Sequence, residues 1–279
     1  LSRNNPERTG ARESAEMPPE VGRSLEFVAP TEFVELPSRG KGYGEKHPLH
    51  KQEVIEIRFM TAKDEDILSS QTLIKKGLAI ERFLQNIIVD KRIKSESILS
   101  GDRNAILIAA RKSGYGAYYE TKVTCPNCQE SNDCVFDLEN PEIQESVVDP
   151  ELGITETSRG TFIVVPPLSK FKVELRLLTG REETLMAANL KNRQKKKQLE
   201  SIVSDQLKMM IVSVEGHEDP KTINMYANNI PTQDTRHLRK AFKSISPNVR
   251  IAEDYNCTSC GFEQELEVPF GADFFWPDR

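Results

Sequence analysis

Two short cysteine pairs constrain this chain more than any other feature: Cys125-Pro126-Asn127-Cys128 and Cys257-Thr258-Ser259-Cys260. Two residues between cysteines let both thiolates of one turn face a single ion, and zinc favours a tetrahedron of soft donors. Each pair is followed by strand-like alternation, so each reads as a knuckle at the tip of a hairpin. The 128 residues between Cys128 and Cys257 far exceed the spacing of a compact zinc ribbon. Either the pairs are unrelated, or a substantial domain is inserted between two halves of one site.

The fifth cysteine, Cys134, leaves an odd number, which suits metal thiolates in a reducing compartment better than a disulfide framework. Cys134 itself reads as a small apolar residue on a strand. At 279 residues the chain can hold one large core or two ordinary ones. Its net charge of -5 gives no support to nucleic-acid binding by bulk electrostatics. No run reaches the apolar length of a membrane span, and Leu1 to Glu20 does not read as a signal sequence.

Along the chain, residues 1–30 are polar and aperiodic, as expected of an arm that only a partner would order. The glycine-rich turn from Gly40 to Gly44 lacks the spacing of a phosphate loop and reads as a shaped surface loop. His47 and His50 flank Pro48 and read as turn residues rather than a metal pair. Val54 to Phe59 is strand-like, and Thr61 followed by Asp64 marks a capped helix start. Asp102 is the expected cap of a helix over 105–112, and Ala117 to Thr124 leads into the first knuckle. Thr179 with Glu182 marks another helix start. Apolar residues at helical spacing then predict one long helix from about Glu182 to Ser213, carrying the basic run Lys191 to Lys197. A helix over 234–242 and a strand lead to the second knuckle, and the chain closes on the aromatic Phe274-Phe275-Trp276.

The two halves resemble each other. Arg58 to Glu65 lies on Arg176 to Glu183 without a gap, and Asp102 to Cys128 lies on Asp234 to Cys260 without a gap. Such self-similarity is expected of a duplicated supersecondary unit. Duplication makes the long gap between knuckles roughly one repeat, and a pairing of the repeats would bring Cys125, Cys128, Cys257 and Cys260 together as a structural Zn2+ site. Redox CxxC motifs sit where a strand feeds a helix, whereas these feed strands. With all four positions filled by sulfur, no coordination site remains for a catalytic water. The expected fold is therefore α+β: duplicated helix–strand units joined by a zinc-ribbon-like four-cysteine site. The division it implies is an arm at 1–30, a first repeat at 31–140, a linker at 141–168 and a second repeat at 169–279.

No nucleophile elbow, triad or paired-carboxylate pattern emerges, and helix capping explains the acidic clusters at Asp64 to Asp66 and Glu182–Glu183. His237 reads as an ordinary helix residue. Two non-enzymatic roles remain. One is a nucleic-acid-binding zinc ribbon using Lys191 to Lys197, weakened by the neutral or acidic residues after each knuckle. The other is a structural protein working through interfaces, for which the arm, the long helix and the aromatic terminus are suitable material.

Phe33 to Gly40, Glu56 to Leu68, Gly101 to Ala105, Ser113 to Gly116 before the first knuckle, Val268 to Phe270 and Phe274 to Pro277 resemble the baseplate hub proteins of T-even-like contractile-tailed phages. The resemblance spans about residues 30–279. It implies a non-enzymatic component of the tail baseplate hub, assembled in the host cytoplasm, with other baseplate and hub proteins as partners and neither specific nucleic acid nor membrane insertion.

Overall fold

The structure is a computed structural model that describes residues 29–195, 201–268 and 272–275. The expected arm lies, up to residue 28, outside the described residues. A hairpin comes first, formed by β1 (Thr31–Glu35) and β2 (Val54–Arg58) in antiparallel register with Val34 opposite Ile55. Its alternation buries Val34, Ile55 and Ile57 and leaves Phe33 outside. Helices α1 (Ala62–Ser69), α2 (Gln71–Lys76) and α3 (Ala79–Ile87) follow, the last with Phe83, Leu84 and Ile87 on one buried face. Helix α4 (Ser100–Tyr115) then runs into the hairpin of β3 (Tyr118–Thr124) and β4 (Ser131–Asp137).

The stretch 141–168, expected as a linker, holds β5 (Glu142–Gln144), β6 (Ile154–Glu156) and β7 (Phe162–Val164). An antiparallel sheet of order β6-β7-β8-β9 is completed by β8 (Val173–Leu175) and β9 (Ile211–Val214). Between those two strands lie α5 (Gly180–Lys195) and α6 (Ile202–Met210). The expected single helix to Ser213 is thus corrected. The chain turns at Ile211, where the β-branched Ile211-Val212 suits a buried strand, and Ser213 pairs with Glu174 on β8. Helices α7 (Pro220–Asn229) and α8 (Thr232–Ile245) follow. Then β10 (Asn248–Arg250) pairs with β5, and β11 (Ala252–Asn256) with β12 (Glu263–Glu267) forms the last hairpin. The fold is mixed helix and antiparallel strand with open sheets. The two knuckle hairpins belong to separate two-stranded sheets rather than to one zinc-ribbon sheet.

Two large cores result. One surrounds α3, α4 and β2, the other lies between the four-stranded sheet and α6 and α8. Phe274 and Phe275 insert into the first core, where Phe274 meets Tyr119 edge-on at 5.0 Å and Phe275 meets Phe83 at 5.1 Å. Both phenylalanines are therefore core residues rather than free interface anchors; Trp276 lies outside the described residues.

Matching bonds recur in the two halves. The Asp64 carboxylate accepts from the Thr61 N–H and hydroxyl and pairs with Arg58, just as Glu182 accepts from the Thr179 N–H and hydroxyl and pairs with Arg176. Asp102, expected to cap α4, lies instead within its first turn and reaches back to the loop after β1. There it accepts from the Ser38 N–H at 2.9 Å, the Ser38 hydroxyl at 2.6 Å and the Tyr43 hydroxyl at 2.7 Å. Asp234 likewise holds the loop after β7, accepting from the Leu168 and Ser169 N–H groups at 2.9 and 2.7 Å. Between the halves, buried Arg103 stands 3.4 Å from Glu81 on α3 and 3.6 Å from Glu183 on α5.

Candidate metal centre

The two knuckles are built alike. In the first, the Cys125 N–H donates to Glu130 O at 2.8 Å and the Gln129 N–H to Cys125 O at 2.9 Å. In the second, the Cys257 N–H donates to Phe262 O at 2.9 Å and the Gly261 N–H to Cys257 O at 2.8 Å. The residue after each second cysteine takes the left-handed conformation, with φ of 63° at Gln129 and 68° at Gly261. Glycine adopts it freely, whereas glutamine does so at a cost of about 1 kcal/mol.

The fold brings all four expected cysteines together. The Sγ atoms of Cys125, Cys128, Cys257 and Cys260 lie within 4.8 Å of one another, with Cys125 and Cys260 at 3.8 Å and Cys128 and Cys257 at 3.6 Å. Zinc–sulfur bonds of about 2.3 Å arranged as a tetrahedron give sulfur–sulfur edges of about 3.8 Å, so the cluster has the size of a four-thiolate metal site. Cys125 and Cys257 are buried, together with Tyr255.

Electrostatics also favour a cation. Burial opposes ionisation of Cys257, but the N–H groups of Cys260 and Ser259 and the Tyr255 hydroxyl outweigh it and bring this thiol down to about 6. At Cys128 the Glu130 N–H favours the thiolate, but burial and the three neighbouring sulfurs push the thiol up to about 12. At Cys125 burial is likewise outweighed, by the N–H groups of Cys128 and Asn127, and its thiol is lowered. Each knuckle thus has one cysteine shifted toward the thiolate, while Cys128 is held back unless a positive ion lies among the sulfurs.

Asn132 is the residue that reading the sequence missed. It lies buried on β4, four positions after Cys128, and ties the hairpins together. Its Nδ2 donates to the Tyr255 hydroxyl at 2.9 Å and faces Cys257 Sγ at 3.5 Å, and its Oδ1 accepts from the Thr258 hydroxyl at 2.6 Å. Metal sites commonly rely on such outer partners to orient their ligands. A polar residue at an inward strand position beside a knuckle is the signal that could have found it.

Elsewhere, Cys134 is half-buried against the first core and takes no part in the four-sulfur cluster. Burial pushes its thiol up. His47 bonds the Ser97 hydroxyl and stacks on Tyr43, while His50 bonds Tyr43 O, so each histidine is occupied in shaping its loop. His237 reaches Leu152 O at 3.1 Å. Of the basic run, Lys191 to Lys195 continue α5, and Lys196 and Lys197 lie outside the described residues.

With this geometry established, comparison with known proteins places the chain. A family model described as T4 bacteriophage base plate protein matches residues 29–276. The chain belongs to this family. Membership makes it a structural, non-enzymatic protein of the phage tail baseplate, with other baseplate proteins as its assembly partners. No curated protein and no solved structure matches the chain. Among the described residues, no helix is long and apolar enough to cross a membrane.

Proposed function

We propose that the chain is a structural or assembly component of the baseplate hub, put together in the host cytoplasm, whose two related halves are clasped by one zinc ion on Cys125, Cys128, Cys257 and Cys260. The observation that carries the clasp is the meeting, within 4.8 Å, of four sulfurs drawn from knuckles more than a hundred residues apart. The recurring threonine caps and the paired roles of Asp102 and Asp234 favour descent of the halves, about 31–140 and 169–279, from one duplicated unit. In this reading zinc does no chemistry. It closes the chain, and its binding energy, on the order of 10 kcal/mol for structural sites, is folding energy.

The test is metal analysis of the full chain purified without chelator. One zinc per chain is expected. Cys257→Ser should lose it and Cys134→Ser should keep it. A wild-type chain with no bound metal, whose thiols react equally fast with and without added zinc, defeats the clasp. For the hub role, the chain should co-purify with hub components of tail baseplates.

A further inference from the structure

A cleft of about 690 Å³ opens between the halves, walled on one side by α8 and on the other by the start of α4 and the last strands. Along α8, Arg236, Arg239, Lys240 and Lys243 all line it and all are exposed. Their spacing of three, four and seven residues sets them on one helix face about 10 Å long. None of the four forms an ion pair among the described residues, in a chain whose net charge is -5.

The two carboxylates lining the cleft, Glu183 and Glu267, are too few to balance this charge, and both face other arginines. Glu183 faces Arg103 at 3.6 Å, and Glu267 accepts from Arg250 at 2.9 Å. With Arg250 the lining carries five cations against two carboxylates, a surplus of three positive charges at one recessed place. The same cleft also presents the half-buried apolar side chains of Leu177, Leu178 and Phe242.

We propose that this cleft docks an acidic, partly apolar peptide segment of another baseplate protein, carboxylates against the α8 stripe and apolar side chains against the floor. The proposal rests on the baseplate role and names the chemistry of one partner. Charge complementarity selects an anionic occupant, and the recessed apolar patch selects a polypeptide. A duplex would present phosphates from a convex surface and leave that patch unfilled. A single strand binds through stacking platforms, and Phe242 is the one aromatic ring on the described lining. The chain's own residues 1–28 fit poorly, since Arg3, Arg8, Arg12 and Arg23 nearly balance their five glutamates.

The test uses the purified full chain and three fluorescent probes in fluorescence anisotropy at physiological salt. The probes are a 15-residue peptide of mixed Glu, Asp and Leu, the same peptide with Gln and Asn for the acids, and a 15-nucleotide oligothymidylate. The acidic peptide should bind, and the neutral one should not. Arg239→Glu combined with Lys240→Glu should weaken binding at least tenfold while leaving the melting temperature unchanged. Absence of peptide binding, indifference to the double reversal, or equally tight binding of the oligonucleotide each overturns the proposal. The reversed chain is also followed into baseplates. Normal incorporation would sink the docking cleft while leaving the baseplate role intact, whereas a wild-type chain missing from baseplates would sink that role and leave the peptide result to stand on its own.

Discussion

At Gly101 the start of α4 closely approaches the chain that follows α8, and Gly101→Ala measures how firmly these segments are pressed together. A Cβ on Gly101 would fall on the Pro247 carbonyl oxygen, with the Pro247 carbonyl carbon at 2.7 Å and Asn248 Cα at 2.8 Å. Carbon atoms rest at about 3.5–4.0 Å, so the segments must part by about 1 Å. The obstructing atoms are all backbone, and no side chain can swing aside. Parting them also stretches the Asn104 Nδ2 to Asn248 Oδ1 bond, now 3.0 Å, whose loss costs about 1 kcal/mol. Overpacking of a close interface adds about 1–3 kcal/mol. Alanine's better helix propensity returns at most about 1 kcal/mol and less in a first turn, leaving a net loss of about 2–3 kcal/mol.

At this chain length that loss corresponds to a melting temperature lower by roughly 6 °C, read by calorimetry with zinc held constant. Gly44→Ala is the control. Gly44 is exposed, its φ is not positive, and an added Cβ meets nothing within 4 Å, so its melting temperature should stay within about 1 °C of wild type. A Gly101→Ala protein that melts with the control would refute the close approach and the junction built on it.

Three further outcomes follow from the bonds described. Asn132→Ala removes the links to Tyr255, Thr258 and Cys257; it should cost about 1–3 kcal/mol in urea titration and, in competition with a chromophoric chelator, weaken zinc retention about 10–100-fold. Asp102→Ala and Asp234→Ala each strip a buried carboxylate from the N–H or hydroxyl partners of its loop, so hydrogen exchange should quicken at Ser38 in the first and at Leu168 and Ser169 in the second, each without loosening the other loop. For Asp64, burial opposes the charge, but Arg58, Thr61 and Asn86 outweigh it and hold the pKa at about 2. A carboxylate depressed on folding contributes stability above its unfolded pKa of about 4 and loses it as pH falls from there toward 2, so the penalty of Asp64→Asn should be largest near pH 6 and shrink steadily below pH 4.

What can be read from the sequence is what depends on neighbours in the chain. The CxxC spacing sets each knuckle's geometry within six residues, and Thr61 with Asp64 or Thr179 with Glu182 forms a cap within three. Such features need no tertiary context. The single helix expected to reach Ser213 fails for the complementary reason: Leu207 and Met210 are buried at helical spacing, but Ile211 and Val214 are buried by the sheet, and the apolar run Met209 to Val212 looks the same in either setting. Asp102 reads as a local cap, and Asp234 only as the first residue of a helix over 234–242, because an acidic first turn suits any helix. Their partners lie 59 to 66 residues away, a distance that no local pattern reports. Phe274 and Phe275 are ambiguous in sequence between a docking anchor and a core plug, since both uses select the same apolar ring. Only the position of Phe83 and Tyr119 decides it. The same logic bears on the α8 stripe. Its four cations look like an ordinary solvated face, and what distinguishes them is that the cleft they line sets only Glu183 and Glu267 against them, and both face other arginines, Arg103 and Arg250. A binding surface in this fold is thus defined less by the charges it carries than by how few counter-charges the rest of the chain sets across from them.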